Sequence, residues 1–258
     1  MIKKNFLKQK LLKKDNCLGT WSVIPSDTVT DIISSSKFDF VILDQEHGPL
    51  SFETKQKQII TCESNNCSPL VRVPKVSQDD ILRALDVGAH GIQVPNISNL
   101  DDIKYLVEYS KYPPKGNRGF STFTRAGGYN IKNKDSLFKE ANENTLLGIN
   151  IESKKALDLT DKISEIKEID IIFYGTFDLS KDFGCPGDTN NKEIWRHIES
   201  TNKHYISKNK ITGTIATNND DLKRHISLGM KYHLYKVDCG IISDGFVNIK
   251  KDFDKIVN

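Results

Sequence analysis

No apolar run in this chain approaches the roughly 20 residues a membrane-spanning helix needs, which argues against a helical span. No signal-peptide core follows the N-terminal lysines either, so a cytoplasmic protein is expected. The five cysteines (Cys17, Cys62, Cys67, Cys185 and Cys239) are odd in number. Cys62 and Cys67 form C-x4-C with no second pair and no nearby histidine. A zinc knuckle is therefore not expected, and reduced thiols fit best. Neither sign of charge dominates: Lys+Arg number 37 against Asp+Glu 34, for a net charge of +3. The basic residues are scattered through helix-like stretches, so a nucleic-acid footprint is lacking. The one basic cluster, Lys3-Lys4 through Lys13-Lys14, is interrupted by Phe6, Leu7, Leu11 and Leu12. It reads as an amphipathic first helix over about residues 1–14 with a solvated face; a membrane or RNA contact is the lesser reading.

What is present is a regular alternation. Strand-like runs occur at Cys17–Ile24, Phe38–Gln45, Pro69–Val73, Gly91–Pro95, Leu146–Glu152, Ile169–Gly175, Ile211–Ala216 and Tyr232–Asp238. Several are nearly continuous in Val, Ile, Leu and Phe, the composition of parallel strands covered on both faces. Between them lie stretches with helical apolar spacing, such as Asp79–Gly88, Leu100–Lys111, Ser153–Lys167 and Asp220–Gly229. Eight such alternations in a chain of 258 residues predict one domain, a (β/α)8 TIM barrel of the α/β class over residues 1–258. No G-x-G-x-x-G follows the first strand, which weakens a dinucleotide-binding sheet. The longest interval, Asn96 to Thr145, holds Tyr112-Pro-Pro-Lys-Gly-Asn-Arg-Gly119, read as an ordered loop placed to cover a site.

In such barrels functional groups emerge at the C-terminal ends of the strands. Those exits carry Asp44-Gln-Glu-His47, Arg72, Glu152, Asp178 and Asp238. Glu152 and Asp178 are the best metal candidates, because two carboxylates plus waters and a chelating substrate suit octahedral Mg²⁺ or Mn²⁺. The competing reading pairs them with lysines or makes them helix caps. His47 lies three residues after Asp44, close enough for a carboxylate to orient an imidazole as a base. Arg72 interrupts a buried run and must face either a carboxylate or an anionic ligand. Gly175-Thr176-Phe177-Asp178 is a strand-to-helix turn whose backbone N–H groups suit a carboxylate or phosphate.

Taken together, these segments resemble the HpcH/HpaI aldolase/citrate lyase family, metal-dependent class II pyruvate aldolases. The resemblance is carried by Phe38-Asp-Phe-Val-Ile-Leu-Asp-Gln-Glu-His47, Val71-Arg72, Leu85-Asp-Val-Gly-Ala-His-Gly-Ile-Gln-Val-Pro95, Tyr112–Gly119, Ile151-Glu152 and Asp178-Leu-Ser180. It implies a homo-oligomeric barrel, often a hexamer or trimer of dimers, whose last helix packs on a neighbouring subunit. It also implies roles. Glu152 and Asp178 hold Mg²⁺, Mn²⁺ or Co²⁺, Arg72 stabilises an enolate oxygen, and His47, oriented by Asp44, is the acid/base. The Gly175–Asp178 backbone holds the pyruvate carboxylate. The partners are then a small 2-oxo acid and an aldehyde, with no nucleic acid or membrane. Three positions depart from the family pattern: Asn150 where glutamine is usual, Phe177 in place of a small residue, and Lys236 in place of glycine. All three fall near the rim, where the substrate pocket is expected to be remodelled; Lys236 is expected to point to solvent, with contact to an acidic substrate or a covalent amine as the lesser readings. A barrel that binds a 2-oxo acid or a partner without catalysis, and a citrate-lyase-like cleavage of an acyl-CoA, are the alternatives.

Overall fold

The computed structural model describes residues 4–130 and 134–257. Eight strands close in chain order into an all-parallel barrel. They are β1 (Cys17–Ser22), β2 (Phe40–Asp44), β3 (Ser68–Arg72), β4 (Gly91–Val94), β5 (Leu146–Ile151), β6 (Ile171–Tyr174), β7 (Ile211–Ala216) and β8 (Tyr232–Val237). The first helices are α1 (Phe6–Leu12), α2 (Asp27–Ser35), α3 (Phe52–Ser64), α4 (Gln78–Asp86), α5 (Leu100–Ser110) and α6 (Lys134–Asn144). After β5 come α7 (Lys154–Asp158) and α8 (Thr160–Ser164), then α9 (Thr176–Asp182), α10 (Lys192–Ser207), α11 (Asn219–Ser227) and α12 (Asp238–Val257). The single helix expected over Ser153–Lys167 is thus broken in two at Leu159.

Helix starts follow from local chemistry. Ser26, Ser51, Ser77, Asn99, Ser153, Asn191 and Asn218 each accept a first-turn N–H with the side chain. Each such cap is worth about 1 kcal/mol.

Side chains alternate between two cores, as the two-residue period of a strand dictates. Trp21, Phe40, Ile42, Leu70, Phe173, Tyr232 and Leu234 fill the barrel interior. Val41, Leu43, Val71, Ile92, Ile149, Ile172 and Tyr174 point outward against the helices. Phe40 stacks on Tyr232 with centroids 4.3 Å apart. Gly19 must be glycine, because a Cβ there would lie 2.3 Å from the Phe40 ring. Leu7 and Leu11 of α1 join the interior core. Asn5 donates to the carbonyls of His90 and Asn144 beside them, so α1 closes the N-terminal end of the barrel.

The same alternation aims the rim. Ile42 and Leu70 point inward, so Asp44 and Arg72, two residues on, do so at the C-terminal end. Ile149 and Ile151 point outward, leaving Asn150 and Glu152 to the interior.

The segment 111–130 does not cover this rim. It begins where α5 ends, at the N-terminal end of the barrel, because the helix of a β-α unit runs back antiparallel to its strand. Arg118 pairs with Asp86 at the end of α4 at 2.8 Å, and Lys111 donates to the Thr145 carbonyl just before β5 at 2.8 Å. Arg125 pairs with Glu63 in the last turn of α3. Among the described residues no helix is long and apolar enough to cross a membrane.

Candidate functional site

The register of β2 against β3 sets Asp44 opposite Arg72. Their side chains form a bidentate pair, Arg72 Nε to Asp44 Oδ1 at 2.8 Å and Nη2 to Oδ2 at 2.5 Å. The third nitrogen, Nη1, lies 2.8 Å from Glu46 Oε2 in an ion pair too oblique to be a directed hydrogen bond. The guanidinium rests on the Trp21 ring, 4.1 Å from its centroid. Such a fork is planar and pre-organised, and its terminal nitrogens keep N–H groups to offer an anion on the rim.

Asp44 does not orient His47 as expected. Its carboxylate is taken up by Arg72 and by the backbone N–H groups of Glu46 and His47, at 3.0 and 3.5 Å. The chain turns so that the backbone of His47, not its ring, meets Asp44. The imidazole is largely exposed, and Nε2 lies 4.0 Å from Glu46 Oε2. Glu46 is therefore the carboxylate beside His47 and the second carboxylate on Arg72. Burial pushes its carboxyl above the ordinary range, with Arg72 and His47 opposing and Asp44 and Asp178 adding to the rise. Sequence reasoning passed over Glu46, although its place between Asp44 and His47 at a strand exit was the available signal.

Glu152 is buried at the exit of β5. Its Oε2 accepts the backbone N–H of Asn96 at 2.7 Å, and its Oε1 accepts the amide of Asn150 at 2.8 Å. Desolvation raises its pKa; these two donors oppose the rise, and Asp178 and Glu46 add to it. Asn96, whose φ of 56° puts its backbone in the left-handed region, also donates its side-chain amide to Glu46 at 3.3 Å. It thereby ties two rim carboxylates together. Nothing in its sequence position beyond following Pro95 signalled this. Gly175, before Asp178, packs directly on Glu152: a Cβ there would lie 2.5 Å from Glu152 Cγ.

Asp178 sits exposed in the first turn of α9, whose cap Gly175 supplies no side-chain acceptor. No hydrogen bond or ion pair reaches its carboxylate among the described residues. Neither lysine pairing nor capping accounts for it. Thr176 is buried beside it and Phe177 stands half-exposed on the rim. Among the described residues no three His, Cys, Asp or Glu side chains converge as a metal cluster. Glu152 and Asp178 leave a local surplus of negative charge on the rim, each adding to the field that the other feels, and a pair of carboxylates of this kind could hold a hard divalent ion completed by water and substrate oxygens.

Two of the remaining residues have partners within the chain. Asn150 is wholly buried and spends its amide on Glu152 and on Gln93, so it supports the carboxylate. Lys236 is held on Asp244 of α12 at 2.6 Å, which raises its pKa and occupies its ammonium. Asp238, the last rim acid, is buried and accepts from Ser22 Oγ and from the N–H groups of Val23 and Ile24 at 2.9–3.1 Å. It latches β1 to β8.

The family model of the HpcH/HpaI aldolases and citrate lyases matches residues 18–242. A 5-keto-4-deoxy-D-glucarate aldolase of Enterobacter sp. (strain 638) is 29% identical over 251 residues, covering 97% of each chain. Among solved structures, the citrate synthase SbnG is 26% identical with a TM-score of 0.86, covering 97% of this chain and 100% of its own. An HpcH/HpaI aldolase from Desulfitobacterium hafniense has the same fold, at 24% identity and a TM-score of 0.91, with 96% of each chain covered. The chain thus belongs to the HpcH/HpaI aldolase/citrate lyase family and is an enzyme of the aldolase type.

Proposed function

We propose that this enzyme cleaves or forms a 4-hydroxy-2-oxo acid through a pyruvate enolate and an aldehyde. The observation that carries the reading is the Glu152–Asp178 carboxylate pair, unneutralised, on the same rim as a pre-organised Arg72. Glu152 and Asp178 are the residues to hold Mg²⁺ or Mn²⁺. A bound divalent cation supplies Lewis acidity, polarising the keto group of a 2-oxo acid. Arg72 then offers its remaining N–H groups to the developing enolate oxygen, fixed in advance by Asp44 and Glu46 so that no reorganisation is needed in the transition state. His47, exposed beside Glu46, is the group placed to carry a proton to or from the aldehyde oxygen, with Glu46 in the partnering role first assigned to Asp44. The first-turn N–H groups of Thr176 and Phe177, free of a side-chain cap, suit the substrate carboxylate.

The 5-keto-4-deoxy-D-glucarate aldolases among the relatives support a sugar-acid-derived substrate. Five free cysteines support a cytoplasmic setting. The exposed apolar residues of α12, among them Phe246, Ile249, Phe253 and Ile256, support assembly of identical chains. The likeness to a citrate synthase favours a second reading, citrate cleavage or synthesis through the same enolate chemistry.

Exchange of pyruvate methyl protons into D₂O, followed by NMR with Mg²⁺ or Mn²⁺, tests enolisation without knowledge of the aldehyde. Metal-dependent exchange that disappears in Glu152→Ala and Asp178→Ala is expected. Wild-type exchange indifferent to metal would overturn the assignment, and turnover of citrate without pyruvate exchange would favour the second reading.

A further inference from the structure

We infer that Gln93 and Tyr232 are positioning residues for Glu152, acting through Asn150 along a buried chain of side-chain hydrogen bonds that crosses the barrel interior. The Tyr232 hydroxyl donates to Gln93 Oε1 at 3.0 Å. Gln93 Nε2 donates to Asn150 Oδ1 at 2.8 Å, and Asn150 Nδ2 donates to Glu152 Oε1 at 2.8 Å. Tyr232, Gln93 and Asn150 are wholly excluded from solvent. No water competes for these groups, and each must be satisfied by its neighbour.

The chain has one consistent direction. An ionised carboxylate accepts only, so Asn150 must turn its NH₂ toward Glu152 and its carbonyl toward Gln93. Gln93 must then present its NH₂ to Asn150 and its carbonyl to Tyr232. At the far end the phenol is a donor; burial keeps it protonated well beyond its ordinary range. Stacking on Phe40 at 4.3 Å and an edge contact with Phe173 at 6.4 Å fix where that donor points. Donor and acceptor ends agree, so neither amide gains by rotating. Remove Gln93, and Asn150 is free to turn its carbonyl on Glu152, which sets like partial charges together. A glutamine in the middle of a barrel core costs desolvation that an apolar residue would not, and this chain is what offsets it.

The inference rests on Glu152 as a metal-holding residue, so the experiment separates the two. Mn²⁺ affinity at neutral pH is measured by calorimetry for wild type, Gln93→Met, Asn150→Ala and the double variant. Gln93→Met is expected to weaken binding about tenfold, in the range of residues that support a ligand from behind. The double variant is expected to bind no worse than Asn150→Ala alone, because the effect passes through Asn150. Additive losses, or affinity in Gln93→Met within about twofold of wild type, would overturn the inference. Tyr232→Phe, which removes one oxygen, carries the same test if Gln93→Met does not fold. If wild type binds no Mn²⁺, the metal reading fails and the chain is judged on metal-free protein. There the Asn150 side-chain amide protons should exchange slowly and their resonances should move in Tyr232→Phe. Resonances left unmoved would overturn it.

Discussion

Gly175→Ala isolates the contact on which the carboxylate pair depends. The backbone at Gly175 has φ −84°, which any residue adopts, so alanine introduces no conformational strain there and acts only through its methyl. That methyl would lie 2.5 Å from Glu152 Cγ and 2.8 Å from Oε1, against 3.4 Å where ordinary contact begins. Glu152 must therefore retreat by roughly 1 Å, enough to stretch its 2.7 and 2.8 Å bonds from Asn96 and Asn150 beyond useful length. Overpacking of this kind costs about 1–3 kcal/mol, and a weakened hydrogen bond to a charged group adds about 1 kcal/mol or more. A total of about 2–4 kcal/mol would lower Tm by roughly 5–12 °C in a barrel of this size. Mn²⁺ affinity should fall by at least about tenfold, each tenfold being about 1.4 kcal/mol. Gly240→Ala in α12 is the control, since a Cβ there meets nothing within 4 Å; Mn²⁺ affinity should be unchanged and Tm should not fall, alanine being the better helix former. Wild-type melting and wild-type Mn²⁺ affinity in Gly175→Ala would refute the reasoning.

Other perturbations separate the remaining parts of the site. Arg72→Lys keeps a charge but loses the fork, so pyruvate proton exchange should drop about 10²-fold or more while calorimetric Mn²⁺ affinity stays close to wild type. Lys236→Ala removes an exposed ion pair with Asp244; exchange should stay near the wild-type rate and the urea-unfolding midpoint should stay close to that of wild type. His225 and His233 are buried, and burial pushes both imidazoles down to about 4. Their folded pKa lies below the unfolded value near 6.5, so their contribution to stability is complete above about pH 6.5 and is lost as pH falls toward 4. Each accounts for up to about 3 kcal/mol over that window. His225→Phe, which keeps an aromatic ring against Trp195, should flatten the acid limb of a stability–pH profile, and an unchanged limb would show the ring is not held neutral.

The strand exits were legible because strand periodicity needs only one segment to be read. An apolar run followed by an acid locates Asp44, Glu152 and Asp178 at a rim without any knowledge of neighbours. Partnerships were not legible. Asp44 has both Arg72 and His47 within reach of any sequence argument, and the β2–β3 register awards it to Arg72. The loop Tyr112–Gly119 carries the composition of a site cover, yet chain direction puts it at the opposite end of the barrel. Asn150 looks like a substrate residue one methylene short. Its depth in the barrel makes it a link between Gln93 and Glu152.

The sequence by itself determined the eight-fold alternation and which acids stand at the C-terminal rim. These follow from local periodicity and from the ordering of apolar runs. Only the tertiary structure decided that Glu46 joins Asp44 on Arg72, that Asn96 bridges Glu46 and Glu152, and that Tyr232 reaches Gln93 across the interior. Those contacts join residues 26 to 139 positions apart in the chain, and they depend on strand register, barrel closure and depth from solvent, quantities that no single segment encodes.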